Sequence, residues 1–182
     1  MQTSISILRG INVSGQKKIL MADLKALYEG LQFKEVTTYI QSGNVIFKSD
    51  SNISDAALAE KISAAILKKY SFTVPVIVRN INQLENIILG NPFLKEKNID
   101  LEKLHVTFLS EIPGQPATDA IKLLSYPPDR FSVIGEEVFL YTPGGYGETK
   151  LSNKFFESKL KVAATTRNWK TVNKLLEIAA SV

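Results

Sequence analysis

Apolar residues in the first half of the chain follow two different periods. Alternation in the strand sense over residues 3–8, and β-branched and aromatic residues over 36–40, 45–47 and 73–78, predict four strands. Leucine and isoleucine at helical spacing predict helices over about residues 20–29 and 55–70, the second with Ser54 as its N-cap. The resulting order, βαββαβ, is the ferredoxin-like arrangement. Pro75 cannot donate a hydrogen bond to a sheet, so the fourth strand is expected at a sheet edge.

The second half repeats this order in part. Residues 81–98 are predicted to form a connecting helical stretch that is broken near Asn91 and Pro92. The patterns that follow predict a strand at 104–110, a helix at 116–125, a hairpin of 131–134 with 137–141, and helices at about 153–161 and 166–180. This second order is βαββαα, with a helix where the first half has its fourth strand.

We therefore predict an α+β protein with two ferredoxin-related halves, residues 1–80 and 81–182. Each half is expected to have an antiparallel sheet with helices on one face. In the strand order 4-1-3-2, the first and second strands run in the same direction. The loop after the first strand and the turn between the second and third strands then open at the same end of the sheet.

Those two segments concentrate polar side chains and glycines. They contain Arg9, Gly10, Asn12, Lys17, Gln41, Ser42 and Asn44. Glycine allows a ligand to approach the backbone closely, and arginine, lysine and main-chain N–H groups hold phosphate or carboxylate groups. The sequence therefore predicts an anion site at this end of the sheet. The alternative is that the glycines serve only the turns and that the cations are solvated.

Two further segments, in the second half, are candidates for anion binding. The glycine-rich stretch 141–150 ends at Lys150, but Leu151 follows where a Walker A loop has serine or threonine, so a plain flexible loop is the alternative. In residues 164–169, Thr165 or Thr166 is expected to cap the last helix and Trp169 to enter the core. Arg167 and Asn168 would then lie in the first helical turn. A cation there opposes the helix dipole, so Arg167 is expected to pair with a carboxylate or bind a ligand anion.

Composition removes several classes of chemistry. The chain of 182 residues has no cysteine, which excludes disulfides, thiolate nucleophiles and cysteine-bound zinc. Any catalytic triad would have to use the single histidine, His105. No two carboxylates have a spacing in the sequence that is typical of a general acid and base. We expect no metal site and no cofactor. The net charge of +4 favours anionic partners slightly. Because no segment resembles a membrane span or a signal peptide, we expect a cytoplasmic protein without membrane contact.

Three segments resemble the uncharacterised bacterial family DUF1697, which is marked by an LRGINV start. They are residues 8–13, residues 38–45 and residues 165–175, with Lys150, Leu151 and Ser152 as a further match. The resemblance implies a small cytosolic α+β protein with two ferredoxin-related halves and no established activity. The family's motif positions fall on ten residues, most of them polar and in loops or at a helix start: Arg9, Gly10, Asn12, Gln41, Ser42, Gly43, Asn44, Arg167, Asn168 and Trp169. Thr149 replaces the serine that is usual in the family, and this retains a hydroxyl group.

The leading hypothesis is a binding protein for an anionic ligand, either a phosphorylated small molecule or single-stranded nucleic acid. Nucleic acid is the weaker branch, since residues 44–48 lack the aromatic pattern of an RNA-recognition motif. The first alternative is a metal-independent enzyme acting on a phosphorylated or amide substrate. In that enzyme Arg9 and Arg167 would stabilise developing charge, and Ser42 or a carboxylate would handle protons. The second alternative is an interaction module, monomeric or homodimeric, that pairs through an open sheet face or the edge strand near Pro75.

Overall fold

The computed structural model describes residues 1–182 as two compact units. One unit comprises Met1–Glu85 with Lys174–Val182, and the other comprises Asn86–Asn173. Each unit has a four-stranded antiparallel sheet with α-helices, so the predicted α+β fold class is confirmed. We call them the first and the second unit.

The first unit has the predicted βαββαβ order. Its elements are β1 (Gln2–Leu8), α1 (Met21–Gly30), β2 (Lys34–Tyr39), β3 (Asn44–Ser49), α2 (Asp55–Tyr70) and β4 (Val76–Asn80), and α3 (Ile81–Leu89) follows β4 directly. The strand order β2-β3-β1-β4 puts β4 at an edge, as Pro75 predicts. Ser54 caps α2, because its hydroxyl accepts a hydrogen bond from the N–H of Ala57.

The core of the first unit lies between its sheet and α1 and α2. Tyr28 of α1 is fully buried there, with its ring 5.3 Å from that of Phe47 in β3. The Tyr28 hydroxyl lies 2.7 Å from the Ser6 hydroxyl, so burial leaves no polar atom of this side chain unpaired. Burial raises the pKa of Tyr28 above its usual range. Ile5 and Ile7 project from the opposite face of β1 and are also fully buried.

The second unit begins within the stretch that connects the two sheets. Its elements are β5 (Leu104–Leu109), α4 (Gln115–Lys122), β6 (Arg130–Ile134), β7 (Glu137–Tyr141), α5 (Asn153–Leu160), β8 (Ala164–Asn168) and the start of α6 (Trp169–Ser181), with short 3₁₀ turns at Pro92–Lys95, Leu101–Lys103 and Tyr146–Glu148. The strand order is β6-β7-β5-β8. The hairpin across Gly135 is confirmed.

One element differs from the expected order. Residues 164–168 form β8 and pair with β5, so the second unit has a fourth strand before its last helix. The hydroxyls of Thr107 and Thr166 lie 2.7 Å apart across this pair. The segment lacks apolar alternation and its threonines resemble helix caps, which explains why the sequence pattern predicts a helix start. The cap is instead Asn168, whose side-chain oxygen accepts from the N–H of Thr171 at 2.8 Å.

The two units repeat the same backbone hydrogen bonds at equivalent places. The last residue of the first strand donates to the residue before the third strand in both units, from Leu8 to Gly43 and from Leu109 to Glu136, each at 2.8 Å. The next residue donates to the segment before the fourth strand, over 3.0 Å from Arg9 to Pro75 and over 2.9 Å from Ser110 to Ala163. The units are thus copies of one fold, although their sequences show no close repeat.

Candidate functional site

Three loops meet at one end of the first unit's sheet, as the topology predicts. The Arg9 N–H donates to the carbonyl of Pro75 at 3.0 Å, which joins the loop after β1 to the segment before β4. The Lys17 ammonium donates to the carbonyl of Thr73 at 2.8 Å and fastens the same two segments again. Asn12 connects the loop to the third segment, the β2–β3 turn. We call this region the loop end.

Asn12 shapes the loop that follows β1. Its side-chain Nδ2 donates to the carbonyls of Ile19, at 3.0 Å, and Gln41, at 2.9 Å, while Oδ1 accepts from the Ile19 N–H at 2.9 Å. Its φ of 55° lies in the left-handed region, which asparagine tolerates better than most residues. Because both amide hydrogens are used inside the fold, Asn12 acts as a brace for the loop.

The tip of this loop is a small hairpin. The Gln16 N–H donates to the carbonyl of Val13 at 2.9 Å, and the two residues between them, Ser14 and Gly15, have φ angles of 51° and 72°. Two successive residues with positive φ are typical of a type I′ turn. Gly10 and Lys17 also have positive φ, at 74° and 46°. Such backbone conformations cost energy at non-glycine residues and are concentrated at functional sites.

The β2–β3 turn is closed by side chains that the sequence analysis selected. Asn44 is fully buried, and its Nδ2 donates to the carbonyl of Tyr39 and to the hydroxyl of Ser42, both at 3.0 Å. Ser42 is half-buried, whereas the side chain of Gln41 is exposed. Of the polar side chains in this turn, that of Gln41 is therefore the one most accessible to solvent.

A depression of about 300 Å³ opens at the loop end. It is lined by Asn12, Gly15, Lys18, Ile19, Leu20, Met21 and Gln41. Helix α1 begins at its wall, with Leu20 as an N-cap that makes no side-chain hydrogen bond. The first N–H groups of a helix carry partial positive charge, and here no capping side chain occupies them. Lys18 is exposed and forms no ion pair, so its ammonium adds a full positive charge to this wall.

Two of the predicted residues of the second unit, Arg167 and Asn168, have hydrogen-bond partners within the protein. Arg167 lies in β8 and not in the first turn of α6, so the expected helix position is wrong. Its guanidinium donates to the Thr165 hydroxyl at 3.1 Å and the Thr166 carbonyl at 2.9 Å. Burial lowers the pKa of Arg167 to about 10. Asn168 caps α6, as described above, and Lys150 is exposed in the loop before α5. Trp169 is buried, as expected.

The same arginine–asparagine pair occurs in the first unit, where sequence reasoning overlooked it. Arg79 is buried near the end of β4 and donates to the carbonyl of Val78 at 2.9 Å. The side-chain oxygen of Asn80 accepts from the Gln83 N–H at 3.0 Å and caps α3. The signal was available, since in both units Arg-Asn directly precedes a helix. The repetition gives Arg167 and Asn168 a role in joining strand to helix.

His105 is held in a partly buried position on β5. Its ring stacks on that of Tyr146, with centroids 4.8 Å apart, and its Nδ1 is buried without a hydrogen-bond partner. Burial lowers the pKa of His105, so the ring is neutral near pH 7. No three histidine, aspartate or glutamate side chains come together as ligands for a metal ion. None of the helices has both the length and the apolar character that crossing a bilayer requires.

Comparisons with known proteins bear on the family and the fold. The model of the family described as "Protein of unknown function (DUF1697)" matches residues 1–139. The chain belongs to the DUF1697 family. Its fold is similar to the solved structure of the conserved bacterial protein SP0830 from Streptococcus pneumoniae, with a TM-score of 0.74 and 24% sequence identity over 98% of each chain. At that identity the likeness shows the fold alone. A search among curated proteins finds no match.

Proposed function

We propose that this DUF1697 protein is a cytoplasmic binding protein for a small anionic ligand, such as a phosphorylated metabolite. The ligand would bind in the depression at the loop end of the first unit. The observation that carries the proposal is the uncapped N-terminus of α1 opening into a depression that Lys18 and Gln41 also line. Helix N-termini with adjacent cations and amide groups bind phosphate and carboxylate groups.

Size and charge agree with a small ligand. A volume of about 300 Å³ is at the lower end of the range for small-molecule sites. The loop contributes Lys17 and Lys18, and α2 ends with Lys68 and Lys69 close in sequence to the segment before β4. The first turn of α1 contributes one carboxylate, that of Asp23. Cations therefore outnumber carboxylates among the residues that this end collects.

The nucleic-acid and interaction alternatives are less well supported. The nucleic-acid alternative would use an accessible sheet face, as RNA-recognition motifs do, and so would the interaction module unless it pairs through the edge strand β4. In the first unit Ile5, Ile7 and Ile46 on the face opposite α1 and α2 are fully buried. A small anion bound by loops needs no sheet face, so it fits this arrangement better.

A thermal-shift screen at low salt tests the proposal. The panel holds inorganic phosphate, pyrophosphate, sugar phosphates, dicarboxylates and a short single-stranded RNA. A ligand at one hundred times its dissociation constant adds about 2.7 kcal/mol to the free energy of unfolding, which raises the melting temperature visibly. We expect one class of small anion to do so with the wild-type protein and to lose the effect with Lys18→Ala.

Lys122→Ala is the matched control, because it removes an exposed lysine without a charged partner from the second unit. It should leave the anion-induced shift unchanged. No response to any small anion, or an equal loss in both variants, would overturn the proposed site. A response to RNA alone would favour the nucleic-acid alternative.

A further inference from the structure

We propose a second binding site, in the second unit, for a small organic cation with an aromatic body, such as an arylalkylammonium ion. The site is a depression of about 310 Å³ before and along β6. Its lining residues are Pro92, Phe93, Glu96, Leu124, Ser125, Tyr126, Asp129, Arg130, Phe131 and Ser132. This site is separate in sequence from the loop end, and it selects the opposite charge.

The one cation in the lining is already neutralised. Arg130 donates from its two terminal nitrogens to the two carboxylate oxygens of Glu96, at 2.7 and 2.8 Å. Its guanidinium also lies 5.2 Å from the ring centre of Phe93 and 5.1 Å from that of Tyr141. The ion pair raises the pKa of Arg130 and lowers that of Glu96. Both groups are therefore fixed, and together they contribute no net charge.

Asp129 supplies the charge that remains. Its Oδ2 accepts from the Thr149 hydroxyl at 2.6 Å, and its N–H donates to the carbonyl of Tyr126 at 2.9 Å. No lysine or arginine forms an ion pair with it, and Oδ1 accepts no hydrogen bond within the protein. The lining thus carries one uncompensated negative charge in a protein whose net charge is +4. A half-buried carboxylate of this kind attracts a cation.

Aromatic rings in fixed orientations complete the site. Phe131 packs against Phe156 with ring centres 5.8 Å apart, and Tyr126 packs edge-on against Phe155 at 5.4 Å. The faces of aromatic rings attract cations and also contact apolar groups. A ligand with an ammonium group and a ring would therefore satisfy Asp129 and the aromatic wall together. The hydroxyls of Ser125 and Ser132, which form no hydrogen bond within the protein, are further acceptors for an N–H donor.

Amide-resolved NMR titrations of the full chain test this proposal. The two probes are phenethylammonium and 3-phenylpropionate, which share the ring and a two-carbon chain but carry opposite charges. We expect phenethylammonium to shift the amides of residues 124–132 in a saturable way, and phenylpropionate to leave them in place. Asp129→Asn retains an acceptor for Thr149 and should weaken binding of phenethylammonium about tenfold. Glu111→Gln, an exposed carboxylate elsewhere in the unit, should leave it unchanged.

Ser125→Trp is the second variant, because it fills the depression without altering Asp129. It should abolish the response to phenethylammonium while amides outside the site keep their positions. Equal responses to the two probes would overturn the proposal. So would an unchanged affinity in folded Asp129→Asn or in Ser125→Trp. None of these results depends on whether the loop end binds an anion.

Discussion

Two residues hold the loop end in place. Asn12 does so through its side-chain amide, and Gly43 through its carbonyl oxygen and its lack of a Cβ. Sequence reasoning selected Asn12 and the turn because the topology brings them together, and the structure confirms that juxtaposition. It could not show that the Asn12 amide is used by the carbonyls of Ile19 and Gln41. An asparagine in a glycine-rich loop has the same local pattern whether its amide binds a ligand or the backbone. The folded structure is therefore needed to show whether the amide binds a ligand or the backbone.

Gly43→Ala is predicted to destabilise the protein more than Gly10→Ala. Both glycines have positive φ, at 88° and 74°. An added Cβ at Gly43 would lie 2.8 Å from atoms of Ile11 and Leu8, whereas at Gly10 it would meet nothing within 4 Å. Urea denaturation should show a loss of about 2–4 kcal/mol for Gly43→Ala and about 1 kcal/mol for Gly10→Ala. Equal losses would mean that the close packing under the turn is absent.

His105 should make stability depend on pH. Its pKa in the folded protein is below the ordinary value of 6.5, because burial disfavours the charged ring. The unfolded chain therefore binds the proton first as pH falls, and the free energy of unfolding decreases below about pH 6.5. Since His105 is the single histidine, His105→Gln should remove this decrease between about pH 7 and 5.5. Urea titrations at several pH values check this, and identical profiles for both proteins would contradict it.

At the scale of elements, helix α1 combines a start without a capping side chain, a feature it shares with α4 at Gly114, with a depression at that start. Ser54, Ser152 and Asn168 cap α2, α5 and α6 through side-chain oxygens, whereas Leu20 precedes α1 and is 71% exposed. The apolar spacing predicted the helix correctly, but the missing cap matters only beside the depression that the fold creates. That combination makes the N-terminus of α1 the centre of the proposed anion site.

Leu20→Ser should stabilise the protein and weaken anion binding at the same time. The backbone of Leu20, with φ of −69° and ψ of 139°, already suits an N-cap residue. A serine hydroxyl would accept from the first-turn N–H groups and add about 1 kcal/mol to the free energy of unfolding. It would also occupy the donors that the anion needs. Leu20→Ala separates the two effects because it removes the leucine without adding a cap; retained affinity in Leu20→Ser would contradict the role of the helix.

The two strand–helix junctions form another comparison between elements. Asn80 and Asn168 each cap a helix directly after a buried arginine. Replacing either with alanine should lower the free energy of unfolding by about 1 kcal/mol. Asn86→Ala, at an exposed position of α3, should change it by less than about 0.5 kcal/mol. A negligible effect of Asn168→Ala together with a loss of anion binding would instead support a ligand role for Asn168.

At the scale of the whole molecule, local patterns were enough to predict the architecture of both sheets except for β8. Periodicity identified each amphipathic helix and each strand with an apolar face. The segment Ala164–Asn168 has threonines and an arginine in place of alternating apolar residues, so its pairing with β5 follows from the fold and not from its own pattern. The repeated hydrogen bonds of the two units were likewise invisible in the sequence, because backbone groups make them.

The proposed anion site is tested most directly by titrating the isotopically labelled protein with pyrophosphate at low salt and following each backbone amide. We expect saturable shifts at Gly15, Lys18, Met21 and Gln41, which line the depression where α1 begins. These shifts should weaken as salt is added, because an exposed lysine and a helix terminus attract the anion through screened electrostatics. Shifts confined to other parts of the chain, or no shifts at all, would contradict the proposal.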